Sequence, residues 1–208
     1  MKPTENILSL IHLLSRESAR ISVEKGITIS LLADQKPVCI LIHSGIVGLY
    51  RRQGRMLMGM MEGPDIAGAS SLFPEITPLP GPSIYLLSMS PVIYEVVSIQ
   101  DVHKRVTEAG LWREMSLHLC YVLSETLVIL RQLAGLSAEH LVVQSIRRFA
   151  LLPIDFREQT RLVDYVQERT QLSRSAIMRT LKHLRDKQDI EINRGFLVKI
   201  NRLPDEGN

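Results

Sequence analysis

The chain contains 208 residues, 45% of them apolar and 23% charged, which fits one or two globular domains. Its two cysteines are too few for a disulfide framework or a metal site, and no apolar run reaches the roughly 18 residues of a membrane span. Since the N-terminus also lacks the features of a signal peptide, the composition excludes a disulfide-rich secreted protein and a membrane protein and predicts a cytoplasmic one.

Charge is distributed unevenly along the chain, although the net charge is only +3. Residues 144–202 contain 13 Lys or Arg against 7 Asp or Glu, whereas residues 1–143 contain 12 against 13. A near-neutral first part joined to a basic last part predicts two modules, of which the second has an anionic partner.

A short helix and a series of strands come first in chain order. Residues 6–15 place four apolar side chains on one side of a helix: Ile7, Leu10, Ile11 and Leu14. From residue 23 to residue 99, short β-branched and apolar runs alternate with glycine-containing turns, which predicts an antiparallel sandwich or barrel. Residues 74–82, PEITPLPGP, contain four prolines and are predicted to form an exposed loop.

A long helix follows, because residues 111–134 contain no Gly or Pro. Six of its residues alternate at spacings of four and three, which is typical of a coiled-coil seam and predicts a dimer interface. These are Met115, Leu119, Val122, Thr126, Ile129 and Leu133. A second apolar stripe, Cys120, Leu123, Leu127 and Leu130, lies beside them. Two stripes indicate two partners, the β module of the same chain and the same helix of a second subunit, and burial inside a monomer is the alternative.

The C-terminal part reads as a winged helix-turn-helix. Two helices, a turn at residues 171–173 and a third helix to about residue 187 are followed by IEINRGFLVKI. In that last segment two alternating runs flank Asn193-Arg194-Gly195, which is a hairpin signal. In the third helix, Ile177, Leu181 and Leu184 form one apolar stripe. The other face carries Arg174, Ser175, Met178, Arg179 and Lys182 with no acidic residue before Asp186.

The order of these parts resembles that of the cyclic-AMP receptor protein and FNR family (CRP/FNR) of bacterial transcription regulators. Residues 40–68, ILIHSGIVGLYRRQGRMLMGMMEGPDIAG, are similar to the family's β-roll sequence, and residues 173–184, SRSAIMRTLKHL, are similar to its recognition helix. The short sequences LWREM and INRLP resemble a divergent branch, the YaiV/IprA type. The resemblance implies an α+β protein with a cyclic-nucleotide-binding-like β-roll (jelly roll) at residues 1–110, a dimerisation helix at 111–136 and a winged helix-turn-helix at 137–208.

The resemblance also implies double-stranded DNA as a partner, with the second helix of the motif in the major groove. Arg174 and Arg179 match positions where the family has base- or phosphate-contacting arginines, and Ser175 replaces an acidic base-reading residue. Gln171 occupies a position where glycine commonly adopts the left-handed conformation, which leaves the turn geometry open. The predicted DNA-binding residues are Ser173, Arg174, Ser175, Met178, Arg179, Lys182, Arg194 and Lys199. Arg185 and Lys187 are interpreted as solvated surface charges.

Cyclic nucleotides are not expected to bind the roll. In nucleotide-binding relatives a Glu binds the ribose hydroxyl and an Arg pairs with the cyclic phosphate, but the matching positions here are Ala69 and about Pro82. No Arg or Lys occurs between Met56 and Val102, so a buried cyclic phosphate would lack a counter-charge. A backbone amide cluster near Gly68 remains the argument for a weakly bound anion.

The sequence contains no catalytic or metal-binding motif. The six histidines are scattered, and GxSxG, Walker A and CxxC motifs are absent, so we predict neither an enzyme nor a cofactor. The predicted function is a sequence-specific transcription regulator that acts as a homodimer without cyclic nucleotides. RNA polymerase is a further partner that the resemblance implies. The alternative is a β-roll protein that binds a ligand or a partner and acts without specific DNA binding.

Overall fold

The computed structural model describes residues 1–73, 83–133 and 137–203, with the backbone alone for residues 131–133. The proline-rich segment at residues 74–82 lies outside the described residues. The chain divides into two compact units, Met1–Val128 and Ile129–Asn208, which we call the N-terminal and the C-terminal unit. This boundary falls inside the segment 111–136 that is expected to form a separate dimerisation helix, so the division into three domains stays a prediction.

The described residues of the N-terminal unit form nine strands and three α-helices. The helices are α1 (Thr4–Leu14), α2 (Ile99–Ala109) and α3 (Trp112–Leu133), of which the last continues into the C-terminal unit. The strands are β1 (Ile21–Val23), β2 (Thr28–Ile29), β3 (Leu32–Ala33), β4 (Lys36–Ser44), β5 (Ile46–Arg51), β6 (Met56–Glu62), β7 (Asp65–Ala67), β8 (Ile84–Ser88) and β9 (Val92–Ser98).

Two antiparallel sheets form the β-roll. One sheet has the strand order β1-β9-β4-β3, with β7 also paired to β4, and the other has the order β2-β8-β5-β6. The core between the sheets consists of apolar side chains from both: Ile29, Leu31, Val38, Ile40, Ile42, Val47, Ala67, Leu86 and Val92. The predicted α+β architecture with an antiparallel roll is therefore confirmed.

A second core lies on the outer side of the first sheet, where the helices pack. Successive side chains of a strand point to opposite faces, so Cys39 and Leu41 of β4 point away from the roll interior and into this second core. All four predicted apolar residues of α1 are buried there, together with Val102 and Val106 of α2. The amphipathic stripe at residues 6–15 was therefore correctly predicted, because a helix on a sheet must bury one face.

A buried carboxylate fastens the segment after α1 to the roll. Glu95 of β9 is only 1% exposed, and it accepts hydrogen bonds from the Arg16 N–H at 2.8 Å, from Ser15 Oγ and from His43 Nε2 at 2.7 Å. The guanidinium of Arg20 lies 3.6 Å away. Burial by itself raises the pKa of Glu95, but the bonds from Arg16, Ser15 and His43 outweigh it and hold the pKa below its ordinary value.

The first turns of α3 attach it to the roll. Met115 is fully buried in the second core, and the Nε2–H of buried His118 donates to the Ile66 carbonyl oxygen at 3.0 Å. Burial lowers the pKa of His118, and the attraction of Asp65 only partly offsets this. Met115 was expected at a dimer interface, but in the single chain its side chain has no exposed surface left, so we do not include it in the interface proposed below.

Four further helices and one hairpin are found in the described part of the C-terminal unit. These are α4 (Ala138–Ala150), α5 (Ile154–Glu158), α6 (Leu162–Thr170), α7 (Arg174–Asp186), β10 (Ile190–Asn193) and β11 (Phe196–Ile200). The rings of Phe149 in α4 and Tyr165 in α6 are buried and pack against each other, with 4.9 Å between their centroids. The predicted winged helix-turn-helix is therefore present. Among the described residues, every helix is too short or too polar to traverse a bilayer.

Candidate nucleic-acid interface

The orientation of α7 follows from its apolar stripe. Ile177, Leu181 and Leu184 are buried at spacings of four and three residues, so one face of the helix is fixed against the core. The opposite face is consequently turned outward. It carries the exposed residues Arg174, Ser175, Met178, Arg179 and Lys182.

The turn before α7 has the geometry of a regular helix-turn-helix despite its glutamine. Gln171 adopts the left-handed conformation with φ 59° and ψ 14°, and its N–H donates to the Gln167 carbonyl oxygen at 2.9 Å. Its side-chain amide donates to the Glu168 carbonyl oxygen at 3.0 Å. The Ser173 hydroxyl then caps α7 by accepting from the Ala176 N–H. These local bonds offset the roughly 1–2 kcal/mol cost of a left-handed non-glycine residue.

The wing is a tight two-residue hairpin. Asn193 and Phe196 are paired, and Arg194 and Gly195 between them both have positive φ, 49° and 93°. Two successive positive φ values are what a type I′ turn requires, and this turn suits the twist of antiparallel strands. The Leu162 N–H donates to the Gly195 carbonyl oxygen at 3.0 Å, which ties the wing to the start of α6.

A cleft of about 570 Å³ runs between α7 and the wing. Its lining includes four of the predicted DNA-binding residues, Ser175, Met178, Arg179 and Lys182. Arg185, which was interpreted as a solvated surface charge, also lines the cleft. Helical spacing could have predicted this position, because Arg185 follows Lys182 by three residues and Met178 by seven and therefore lies on the same helix face.

The remaining predicted residues lie around this cleft. Ser173 and Arg174 stand at the N-terminus of α7, and Arg194 and Lys199 are exposed on the wing. Arg174 is not free, because its Nη1 donates to Oδ1 of Asp164 in α6 at 2.9 Å. Sequence patterns gave no signal for Asp164, since it lies ten residues away in the preceding helix.

The exposed apolar face of α3 differs from the predicted seam. Leu123, Leu127 and Leu130 are 58%, 56% and 57% exposed, and they belong to the second stripe. Of the predicted seam, Leu119 is partly buried beside the second core, Val122 and Thr126 are exposed, and Ile129 is half-buried. The side chain of Leu133 lies outside the described residues.

Residues 139–205 match a family model described as winged helix-turn-helix DNA binding. Over its whole length the chain is similar to proteins named inhibitor of hydrogen peroxide resistance. The Escherichia coli protein is 29% identical over 215 residues, which cover 99% of this chain and 98% of that protein. The Salmonella typhimurium protein is 26% identical over 213 residues, which cover 99% and 97%.

Solved structures share the fold at low sequence identity. The c-di-GMP responsive global regulator CLP of Xanthomonas campestris has a TM-score of 0.72 at 13% identity, and the match covers 95% of this chain and 99% of that one. A CooA mutant from Carboxydothermus hydrogenoformans has a TM-score of 0.68 at 15% identity, with coverage of 95% and 92%. A CRP/FNR family transcriptional regulator of Thermus thermophilus has a TM-score of 0.65 at 13% identity, with coverage of 86% and 93%.

Proposed function

Because the chain has the fold of the CRP/FNR regulators, we propose that it is a sequence-specific, DNA-binding transcription regulator. The observation that carries this proposal is the outward face of α7, where cationic side chains stand beside a wing in a segment that matches a DNA-binding family model. A major groove admits one helix, and arginine can donate two parallel hydrogen bonds to guanine O6 and N7. The proposed location is the cytoplasm, and RNA polymerase is a proposed further partner.

A homodimer is the proposed active form. Dimeric regulators place two recognition helices about 34 Å apart, so that each enters the major groove of one half-site. The exposed stripe Leu123, Leu127 and Leu130 supports an intersubunit contact along α3, because three large apolar side chains on one helix face are otherwise left in water. Val122 and Thr126 flank that stripe and remain proposed members of the interface.

Exchange of Arg179 for alanine is expected to reduce sequence preference, whereas exchange of Lys199 is expected to reduce affinity for all DNA. Loss of a base-reading arginine costs about 1–3 kcal/mol and flattens the preference at one base pair. Loss of a phosphate contact weakens every sequence alike and lowers the salt slope by about one. The measurement is fluorescence anisotropy on a selected duplex and on random DNA at several salt concentrations.

The matched control is Lys187→Ala, which removes one positive charge at the far end of α7, away from the cleft. This variant should bind both duplexes nearly as the natural protein does. If Arg179→Ala loses the same factor on selected and on random DNA, Arg179 does not read a base. If the natural protein binds no duplex, the proposed function fails and the alternative of a ligand- or partner-binding protein takes its place.

Neither cyclic AMP nor cyclic GMP is expected to bind at micromolar concentrations. Ala69, at the position of the ribose-binding glutamate, is buried in the second core, and a cluster of buried apolar side chains lies between the two sheets. An anion buried there without a counter-charge would lose several kcal/mol of hydration free energy. Pro82, at the position of the phosphate-binding arginine, lies outside the described residues.

Isothermal titration calorimetry with each nucleotide measures this directly, with a regulator that carries the Glu and Arg pair as the positive control. Saturable heat at micromolar nucleotide would refute the expectation. So would a gel shift that forms only after a nucleotide is added.

A further inference from the structure

The ion pair between Arg174 and Asp164 joins the two helices of the helix-turn-helix. Arg174 is the first residue of α7, and Asp164 lies in the first turn of α6. The Nη1–Oδ1 distance is 2.9 Å, and the two side chains are 54% and 53% exposed. The pair therefore lies at the end of α7 that would enter the DNA groove, within reach of solvent and of a ligand.

Arg174 differs in this respect from the other cations of the interface. Within the part of the chain that the structure describes, an acidic partner is present at Arg174 and at none of Arg179, Lys182, Arg194 and Lys199. An exposed ion pair adds little to folding stability. Its position at the predicted reading end of α7 points instead to a role in DNA binding.

The geometry of the guanidinium allows Arg174 to keep this acid while it binds a base. A guanidinium has five N–H donors, and the bond to Asp164 uses Nη1. The edge formed by Nε and Nη2 remains available. Its two parallel N–H groups can donate to guanine O6 and N7. A long side chain that is already held loses less rotamer freedom when it binds.

We propose that Asp164 is a positioning residue that sets sequence specificity through Arg174. On a matching site the acid holds the guanidinium in place for guanine, and its own charge stays compensated. On non-matching DNA, Arg174 turns toward a phosphate and leaves the Asp164 carboxylate unpaired beside the negatively charged backbone, which disfavours that complex. This inference rests on the proposed function as a sequence-specific DNA-binding protein.

The test compares Asp164→Asn with the natural protein on two DNA probes. The probes are a duplex that the natural protein selects from a randomised double-stranded library and a random duplex of equal length. We expect Asp164→Asn to bind the random duplex several-fold more tightly and the selected duplex no more tightly, so that the ratio of the two affinities falls about tenfold. In an Arg174→Ala background the same exchange should leave this ratio unchanged.

Two further variants and one NMR measurement make the result specific. Asp155→Asn removes an exposed acid from the first turn of α5 and should change both affinities alike. Asp164→Glu keeps a carboxylate and should restore most of the ratio, and thermal unfolding of each variant verifies that it is folded. In the DNA-free protein, NMR relaxation of the Arg174 Nε–H should show a more mobile side chain in Asp164→Asn.

An unchanged or increased affinity ratio in Asp164→Asn would overturn the inference, because the acid would then merely compete with DNA for Arg174. An equal fall of the ratio in the Arg174→Ala background would overturn it as well. If the natural protein selects no sequence from the library, this result refutes the proposed function as a sequence-specific DNA-binding protein. The proposed role of Asp164 is then refuted as well. Specific binding by the natural protein with an unaltered ratio in the variant refutes only the role of Asp164.

Discussion

Exchange of Leu123 and Leu127 for glutamate is expected to give a monomer that no longer binds DNA tightly. Both side chains are more than half exposed on one face of α3, and Cys120 and Leu130 extend that face at the four-and-three spacing of a coiled-coil seam. Two carboxylates on each helix would place like charges in an apolar contact. Because a dimer binds two half-sites at once, its loss should weaken binding by about 10²–10⁴-fold.

Sedimentation and anisotropy on the selected duplex measure the two effects in parallel. Val128→Glu is the matched control, because Val128 is 43% exposed on the same helix but points about 100° away from Leu127. This variant should remain a dimer. If the natural protein sediments as a monomer at micromolar concentration, the proposed dimer is contradicted. If Val128→Glu is a monomer, the interface includes a different face of α3 from the one proposed.

Replacement of Glu95 by alanine is expected to lower the free energy of unfolding of the N-terminal unit by about 3 kcal/mol or more. The exchange leaves the Arg16 N–H, the Ser15 hydroxyl and the His43 ring N–H without their buried acceptor. An unsatisfied buried group costs about 1–3 kcal/mol, and each of these partly buried donors contributes up to that amount. Trp112 is the only tryptophan of the chain and lies in the same unit, so its fluorescence during urea unfolding reports the loss.

The contribution of Glu95 should also depend on pH. Its pKa is lowered in the folded unit, so its stabilising effect is fully present above the unfolded pKa of about 4.3 and is lost as the pH falls through the folded value. The difference in unfolding free energy between the natural protein and Glu95→Gln should therefore shrink as the pH falls below about 4.3 and through the folded pKa of Glu95.

Glu108→Gln serves as the control, because Glu108 is 64% exposed and its described ion pair is with Lys104 of the same helix, α2. Its difference from the natural protein should stay near zero over the same range. A difference for Glu95→Gln that persists below the pH at which Glu95 is protonated would mean that the carboxylate charge is not the cause.

Local patterns predicted the elements well because the responsible forces are local. The burial of one side of α1 and α7 follows from helical periodicity, and the wing follows from a turn sequence that tolerates two positive φ values. The roll was predicted from short alternating runs, although its strand order depends on pairings between distant residues. The alternation of residues within one strand does not reveal which other strand it pairs with.

The errors concern contacts that a periodic pattern cannot assign. Both stripes of α3 have the same four-and-three spacing, so the sequence alone could not show that Met115 faces the core of its own unit while Leu123 and Leu127 face outward. Asp164 was missed for a related reason, since its partner Arg174 lies across a turn in another helix. In both cases tertiary packing decides which partner a residue meets.

Arg194 at the wing tip limits how this protein can be made more stable. Its φ of 49° belongs to a conformation that glycine and asparagine adopt at little cost, so either substitution should strengthen the hairpin by up to about 1 kcal/mol. The same substitution removes the cation that is proposed to meet the DNA backbone. A directed-evolution experiment that selects for heat resistance alone should therefore enrich substitutions of Arg194 that stabilise the hairpin but weaken DNA binding. Selection for both heat resistance and DNA binding should retain Arg194 and enrich stabilising substitutions elsewhere in the C-terminal unit.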